Sequence, residues 1–194
     1  NYCFNGRFVC SKALTLSSRI LGIDYFVYDL NRGHNHYIFK NKSLHSIKEN
    51  TRRAINLYKK DPQLAEKTAN IFFKNRRIGN FTFEKSYTKL QKKGKVDIKT
   101  SKKIIAIYTS SDDEYKFIGK DWEEVKTVDQ IDEIKKLCLK INNKYKIIVK
   151  MHPNQFNIPR IKMAQYKKEL NKISTLLLPN SEVDSYALMD KASL

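Results

Sequence analysis

Cysteine is scarce in this 194-residue chain: Cys3, Cys10 and Cys138 are odd in number and widely spaced. They give neither a disulfide framework nor a zinc pattern. With only four prolines and six glycines, a collagenous chain is excluded. No apolar run reaches the roughly 18 residues that a membrane span needs, and no signal peptide is expected. Four catalytic or nucleotide signatures are also missing: a Walker loop, a Gly-x-Gly-x-x-Gly turn, a His-Glu-x-x-His helix and a nucleophile elbow. What is present is 41% hydrophobic and 30% charged residues, enough for a packed core in one ordinary domain or two small ones. The expectation is a soluble cytoplasmic protein.

Negative charge is the other shortage, with 20 acidic residues against 38 basic ones, a net +18. Phosphate neutralisation demands such an excess, so nucleic acid is the first partner to weigh. Lysine supplies 30 of the 38 basic residues and arginine only 8. Lysine, asparagine and isoleucine together are what an AT-rich genome writes on a tolerant surface, and scattered lysines are solvated faces. The excess is uneven. Residues 1–79 hold 15 basic and 5 acidic groups, residues 80–103 hold 8 and 2, and residues 104–194 hold 15 and 13. An acidic partner should therefore meet the first half or the connector.

Patterning divides the chain into two α/β rhythms. A short strand ends near Phe4, Asn5-Gly6-Arg7 signals a turn, and Ser11 to Leu21 reads as a helix stopped by Gly22. Tyr25 to Tyr28 is a buried strand, so the opening is a βαβ unit with a parallel pair. Ser46-x-x-Glu49 is a capping box that opens a helix to about Lys60, and Asp61-Pro62 opens a second that ends at Gly79. Residues 80–102 are lysine-rich and aperiodic, and read as an exposed linker.

The second rhythm starts with the apolar strand Ile104 to Tyr108, of the kind covered on both faces. Thr127-x-x-Gln130 caps a helix, Tyr145 to Met151 is a strand, Pro159 to about Ile173 a helix, and Thr175 to Leu178 a third strand. Ser181-x-x-Asp184 caps a last helix, which the pattern carries to the end of the chain. The expected architecture is two Rossmann-like parallel-sheet domains, residues 1–79 and 103–194, both incomplete, in an internal fragment of a longer protein.

Open parallel sheets bind ligands at the carboxyl ends of their strands, which singles out five loops. Thr109-Ser110-Ser111-Asp112-Asp113-Glu114 follows the first strand of the second half. Its hydroxyls suit a phosphate, and its acidic triplet suits a hydroxyl, a cation or a helix N-terminus. Met151-His152-Pro153-Asn154 places a histidine, restricted by proline, at the next strand end. Pro179-Asn180-Ser181 reads as helix capping. In the first half, Arg7 and Arg32 can grip a carboxylate or phosphate bidentately, or form surface salt bridges.

These segments occur in one order: Phe4-Asn5-Gly6-Arg7, Ile107 to Tyr115, Val149 to Asn154, and Val183 to Met189. The combination resembles the capsule and surface-polysaccharide biosynthesis proteins, which are similar to GT-B glycosyltransferases, over nearly the whole chain. The resemblance implies two facing Rossmann-like domains, with the acceptor at the first and a nucleotide-sugar at the second. In bacterial transferases that use CMP-activated acidic sugars a His-Pro motif contacts the nucleotide. By that likeness Ser110, Ser111, His152, Pro153 and Asn154 would meet the donor nucleotide, and Asn5, Gly6, Arg7 and Arg32 the acceptor. Asp112 and Asp113 are the candidates for the base that sugar transfer needs, and neither a metal nor a cofactor is expected. Here Asn31 precedes Arg32-Gly33 where the family carries an acidic residue, so no base is assigned there.

The implied partners are a nucleotide-sugar donor, a glycan or glycolipid acceptor and an anionic membrane surface touched from the cytoplasmic side, with no nucleic acid. Two alternatives stand beside this reading. One is another GT-B-like enzyme, a teichoic-acid polymerase or a sugar epimerase. The other is a non-catalytic basic protein that binds nucleic acid, opposed by the lack of any recognition module.

Overall fold

The computed structural model describes residues 1–30, 36–79, 90–111, 129–141 and 144–193. They divide into two compact units, one within Asn1–Ile71 and one within Phe72–Ser111 and Thr127–Leu194.

In the first unit β1 (Tyr2–Phe4) lies parallel to β2 (Phe26–Leu30), with Tyr2 opposite Phe26 and their rings stacked at 4.8 Å. Helix α1 (Val9–Ile20) makes the crossover and lays Leu14 on a core of Cys3, Tyr25, Val27, Phe39 and Leu44. Gly22, at φ +67°, supplies the left-handed turn after that helix. A third strand, β3 (His36–Lys40), pairs antiparallel with β2. The first sheet is therefore mixed, which corrects the expectation of a purely parallel one.

Two helices follow, with the ends their caps predict. The Ser46 hydroxyl accepts from the Glu49 amide at 3.3 Å to open α2 (Ile47–Lys60). Asp61 Oδ1 accepts from the Leu64 amide at 2.9 Å at the start of α3 (Pro62–Ile78). Among the described residues no helix is long and apolar enough to cross a membrane.

The second unit holds a parallel sheet in the order β4 (Ile104–Tyr108), β5 (Lys146–Lys150), β6 (Thr175–Leu177). Alternate residues of β5 serve opposite faces, as strand geometry requires. Ile147, Val149 and Met151 pack on Ile131, Ile134 and Cys138 of α4 (Gln130–Ile141) and on Tyr166 and Leu170 of α5 (Arg160–Leu170). Ile148 faces the other way, onto Leu188 of α6 (Ser185–Lys191). The sheet is covered on both sides, as its apolar strands demand.

Helix α6 ends at Lys191, earlier than its sequence pattern suggested, and begins on Asp184 rather than on Ser181. Ala192 then forms a parallel bridge to Ile104, and the Ser193 amide donates to the Ile104 carbonyl at 2.8 Å. The chain thus returns to β4 on the edge opposite β5. From β4 it runs outward through β5 and β6, then crosses behind the sheet to β4's far side. That reversal makes β4 a topological switch point.

The lysine-rich stretch is not a free tether throughout. Val96 is buried and, with Ile98, packs into the cluster of Ile104, Ile148, Val183 and Leu188. Backbone bonds from the Lys92 amide to the Glu182 carbonyl (2.8 Å) and from the Asp184 amide to the Lys95 carbonyl (2.9 Å) stitch it to the entry of α6. Asp184 closes the arrangement, capping the Tyr186 amide at 2.8 Å with Oδ1 and taking the Gly94 amide at 2.8 Å with Oδ2. The expected linker therefore belongs, from Leu90 onward, to the second unit.

Candidate nucleotide site at the sheet end

The register that sets Tyr108 opposite Lys150 brings the chain out of β4 and β5 side by side. The Thr109 amide still bonds to the Lys150 carbonyl at 3.0 Å, so the two exits start as neighbours. A buried polar network then locks them together. The Thr109 hydroxyl bonds to Gln155 Oε1, and the His152 amide donates to both oxygens at 2.9 Å. Gln155 Nε2 passes the chain on to the Tyr166 hydroxyl at 3.1 Å. All of Gln155 is within the protein, and its polar groups are satisfied as burial requires.

His152 stands at the head of a 3-10 turn, Pro153–Asn157. Pro153 takes the first helical position, where its fixed φ suits the turn. His152 Nδ1 accepts from the Asn154 amide at 3.1 Å, so in the neutral ring the proton is on Nε2, the donor end. The imidazole is half-buried. His152 and Gln155 form a reciprocal capping box, each side chain serving the other's end of the turn. Sequence reasoning missed Gln155; the signal available was its spacing, three residues after a cap-position histidine.

Ser110 and Ser111 leave β4 in different states. The Ser110 backbone is gripped on both sides by one amide: its N–H donates to Gln130 Oε1 at 3.0 Å and its carbonyl accepts from Gln130 Nε2 at 2.9 Å. Gln130, expected as part of a cap at Thr127, thus fixes the loop to the start of α4; Thr127 lies outside the described residues. Ser111 is only 2% exposed, and its hydroxyl has no hydrogen-bond partner among the described residues. An unsatisfied buried hydroxyl costs about 1–3 kcal/mol, so one at a sheet's carboxyl end is a place where a ligand oxygen would be welcome.

On the other side of the strand exits, Lys150 is 4% exposed and donates from Nζ to the Val183 carbonyl at 3.0 Å. Burial pushes its ammonium down to about 8, partly countered by the charge of Asp184. Tyr108 donates to the Ser185 carbonyl at 2.9 Å, and burial raises its phenol to about 12. Sequence reasoning assigned neither a role; a lysine inside an apolar strand was the clue. Burial also raises the Cys3 and Cys138 thiols, which keeps both in the inert protonated form.

The first unit holds the acceptor-side residues. Asn5 and Gly6 end β1 in consecutive left-handed conformations, at φ 62° and 71°. Asn5 is buried and bridges two titratable groups: its Nδ2 donates to Asp29 Oδ2 at 2.7 Å, and its Oδ1 meets His45 Nε2 at 3.3 Å. Sequence reasoning assigned neither Asp29 nor His45 a role. A 40-residue separation hides the contact between Asn5 and His45. Arg7 is half-buried and lies over the Phe8 ring, 5.5 Å from its centroid, beside an α1 N-terminus that has no acidic residue in its first turn. Arg32, Asp112 and Asp113 lie outside the described residues. Among the described residues no group of three His, Cys, Asp or Glu side chains could hold a metal ion.

In comparisons with known proteins, no family model, no curated protein and no solved structure matched this chain.

Proposed function

We propose that the chain acts in a glycosyltransferase-like enzyme of capsule or surface-polysaccharide synthesis, moving a sugar from a nucleotide-sugar donor to a glycan or glycolipid acceptor. The observation that carries this reading is the pairing of a topological switch at β4 with a buried, unpartnered Ser111 hydroxyl at that strand's carboxyl end. Open α/β sheets take nucleotides in the crevice at such a switch. Ser111 Oγ and, from the next strand exit, the Nε2 proton of His152 supply hydrogen-bond donors of the type a phosphate oxygen needs. The donor's phosphate is the leaving group: the acceptor hydroxyl oxygen bonds to the anomeric carbon and gives its proton to a base, while the bond from that carbon to phosphate oxygen breaks and its electrons leave on that oxygen. Stabilising the charge on that oxygen is where hydrogen-bond donors assist most.

Ser111→Ala tests the reading because it separates a ligand role from a structural one. Removing an unsatisfied hydroxyl should raise stability by about 1 kcal/mol, while weakening CMP binding about tenfold through the lost phosphate contact. Thermal melts with and without CMP read both effects. A variant that binds CMP as the parent does, or a parent that does not bind CMP, overturns the assignment.

A further inference from the structure

The first unit contains a cavity of about 470 Å³ whose wall carries four cations, Arg19, Lys42, Lys48 and Arg52, and one carboxylate, Glu49. That carboxylate is buried and fully engaged. Its Oε2 accepts from Lys42 Nζ at 2.7 Å and Arg52 Nε at 3.2 Å, and its Oε1 from Arg52 Nη2 at 2.6 Å and Arg53 Nε at 3.3 Å. Hydrogen bonds from Arg52 and then Lys42 hold its acid down to about 2, so it stays ionised across the physiological range. One negative charge is thus divided among three cations, and Lys48 makes no ion pair or hydrogen bond among the described residues.

The remaining wall is neutral and polar, from Asn41, Ser43 and Ser46. Positive charge gathered in a concave wall focuses its field on an anion. Arg52 gives Nε and Nη2 to Glu49 and Arg19 gives Nε to the Tyr25 hydroxyl, so Lys48 is the cation that would carry the direct contact. The Asn41 amide is engaged by the Tyr25 N–H and by Asp24, whereas the Ser43 and Ser46 hydroxyls, which accept from backbone amides, can still donate to the hydroxyls of a polyol. We propose that this cavity binds a hydroxyl-rich anion, a saccharide that bears carboxylate or phosphate groups. The volume suits a sugar unit of this kind better than a polymer backbone, which would need a charged stripe. The proposal does not depend on the nucleotide reading of the second unit.

Calorimetric titration of the whole chain with trigalacturonate and, separately, with mannose 6-phosphate tests it, with maltotriose as the neutral control. At least one anionic probe should bind and maltotriose should not; which one binds identifies the anionic group. Lys48→Glu should weaken that binding about fivefold or more, whereas Lys59→Glu, on the same helix with the same change in charge but outside the cavity wall, should change it less than about twofold. Lys48 is exposed, so a melting curve unchanged from the parent's is expected to accompany the loss. Equal weakening by the two variants, binding of maltotriose, or binding of neither anion would overturn the proposal. So would a preference for duplex DNA or phosphatidylserine vesicles over both sugars.

Discussion

At the scale of single residues, His152 does two jobs. Its Nδ1 caps the turn that follows β5, and in the neutral ring its Nε2 carries the proton that the proposed site would turn to a phosphate. His152→Ala removes both, and should cost about 1 kcal/mol of stability with the cap. The same variant should weaken CMP about ten- to a hundredfold with the charge-assisted bond. His152→Asn keeps an acceptor for the Asn154 amide, so it should restore the melting temperature without restoring affinity. Recovery of both by asparagine would mean that the imidazole is a cap and nothing more. Half of this was legible: the His-Pro element and its strand-end placement could be read from sequence. The partners Thr109, Gln155 and Tyr166 could not, because burial of a polar side chain depends on contacts that no local pattern encodes.

Lys150 makes a different kind of prediction. Its proton is held less tightly in the folded chain, at about 8, than the ordinary lysine value of 10.5. Between those values the unfolded chain binds more protons, so stability rises with pH through that window. Below it the charged, buried ammonium is a standing cost. Lys150→Met should therefore be more stable than the parent at neutral pH, by about 1–2 kcal/mol after the lost bond to Val183 is counted. The advantage should shrink as pH climbs toward 10.5. Urea unfolding across that range measures it, and a gap that widens with pH would contradict the assignment.

Among the elements, helix starts were the most legible. Ser46 and Asp61 cap α2 and α3 where side-chain chemistry predicts, since a cap is a local interaction within four residues. Strand β3 was not legible. His36–Lys40 becomes a strand by pairing with β2, a partner chosen by tertiary contact, and its Phe39 completes the core of the first unit. The connector failed the same way: Val96 and Ile98 are lone apolar residues among lysines, and only the β4 face of the sheet explains them. The turn after β1 shows an element under tight backbone control. Gly6 has φ +71°, and a Cβ there would stand 3.0 Å from Val27 Cγ1. Gly6→Ala should cost about 1–3 kcal/mol by strain and crowding, and should loosen the Asn5 bridge to Asp29. Chemical denaturation gives the first quantity, and the Asn5 side-chain amide resonances followed by NMR give the second. A variant as stable as the parent would show that the turn is not the constraint described.

For the molecule as a whole, composition bounded the class and patterning gave two α/β units with separate sheets. The direction of pairing in the first sheet and the return of the chain to β4 at Ala192 needed coordinates. The proposed nucleotide site leans most on that return, which sets a chain reversal beside β4. The basic excess finds one local meaning in the Glu49 cavity, where a single carboxylate serves several cations. A nucleotide site at the carboxyl ends of β4 and β5 can be mapped by the amide shifts of the isotope-labelled chain during a CMP titration. Saturable shifts concentrated at Ser110, Ser111, His152 and Asn154 are expected. Shifts confined to the cationic cavity of the first unit, or none at saturating CMP, would contradict it.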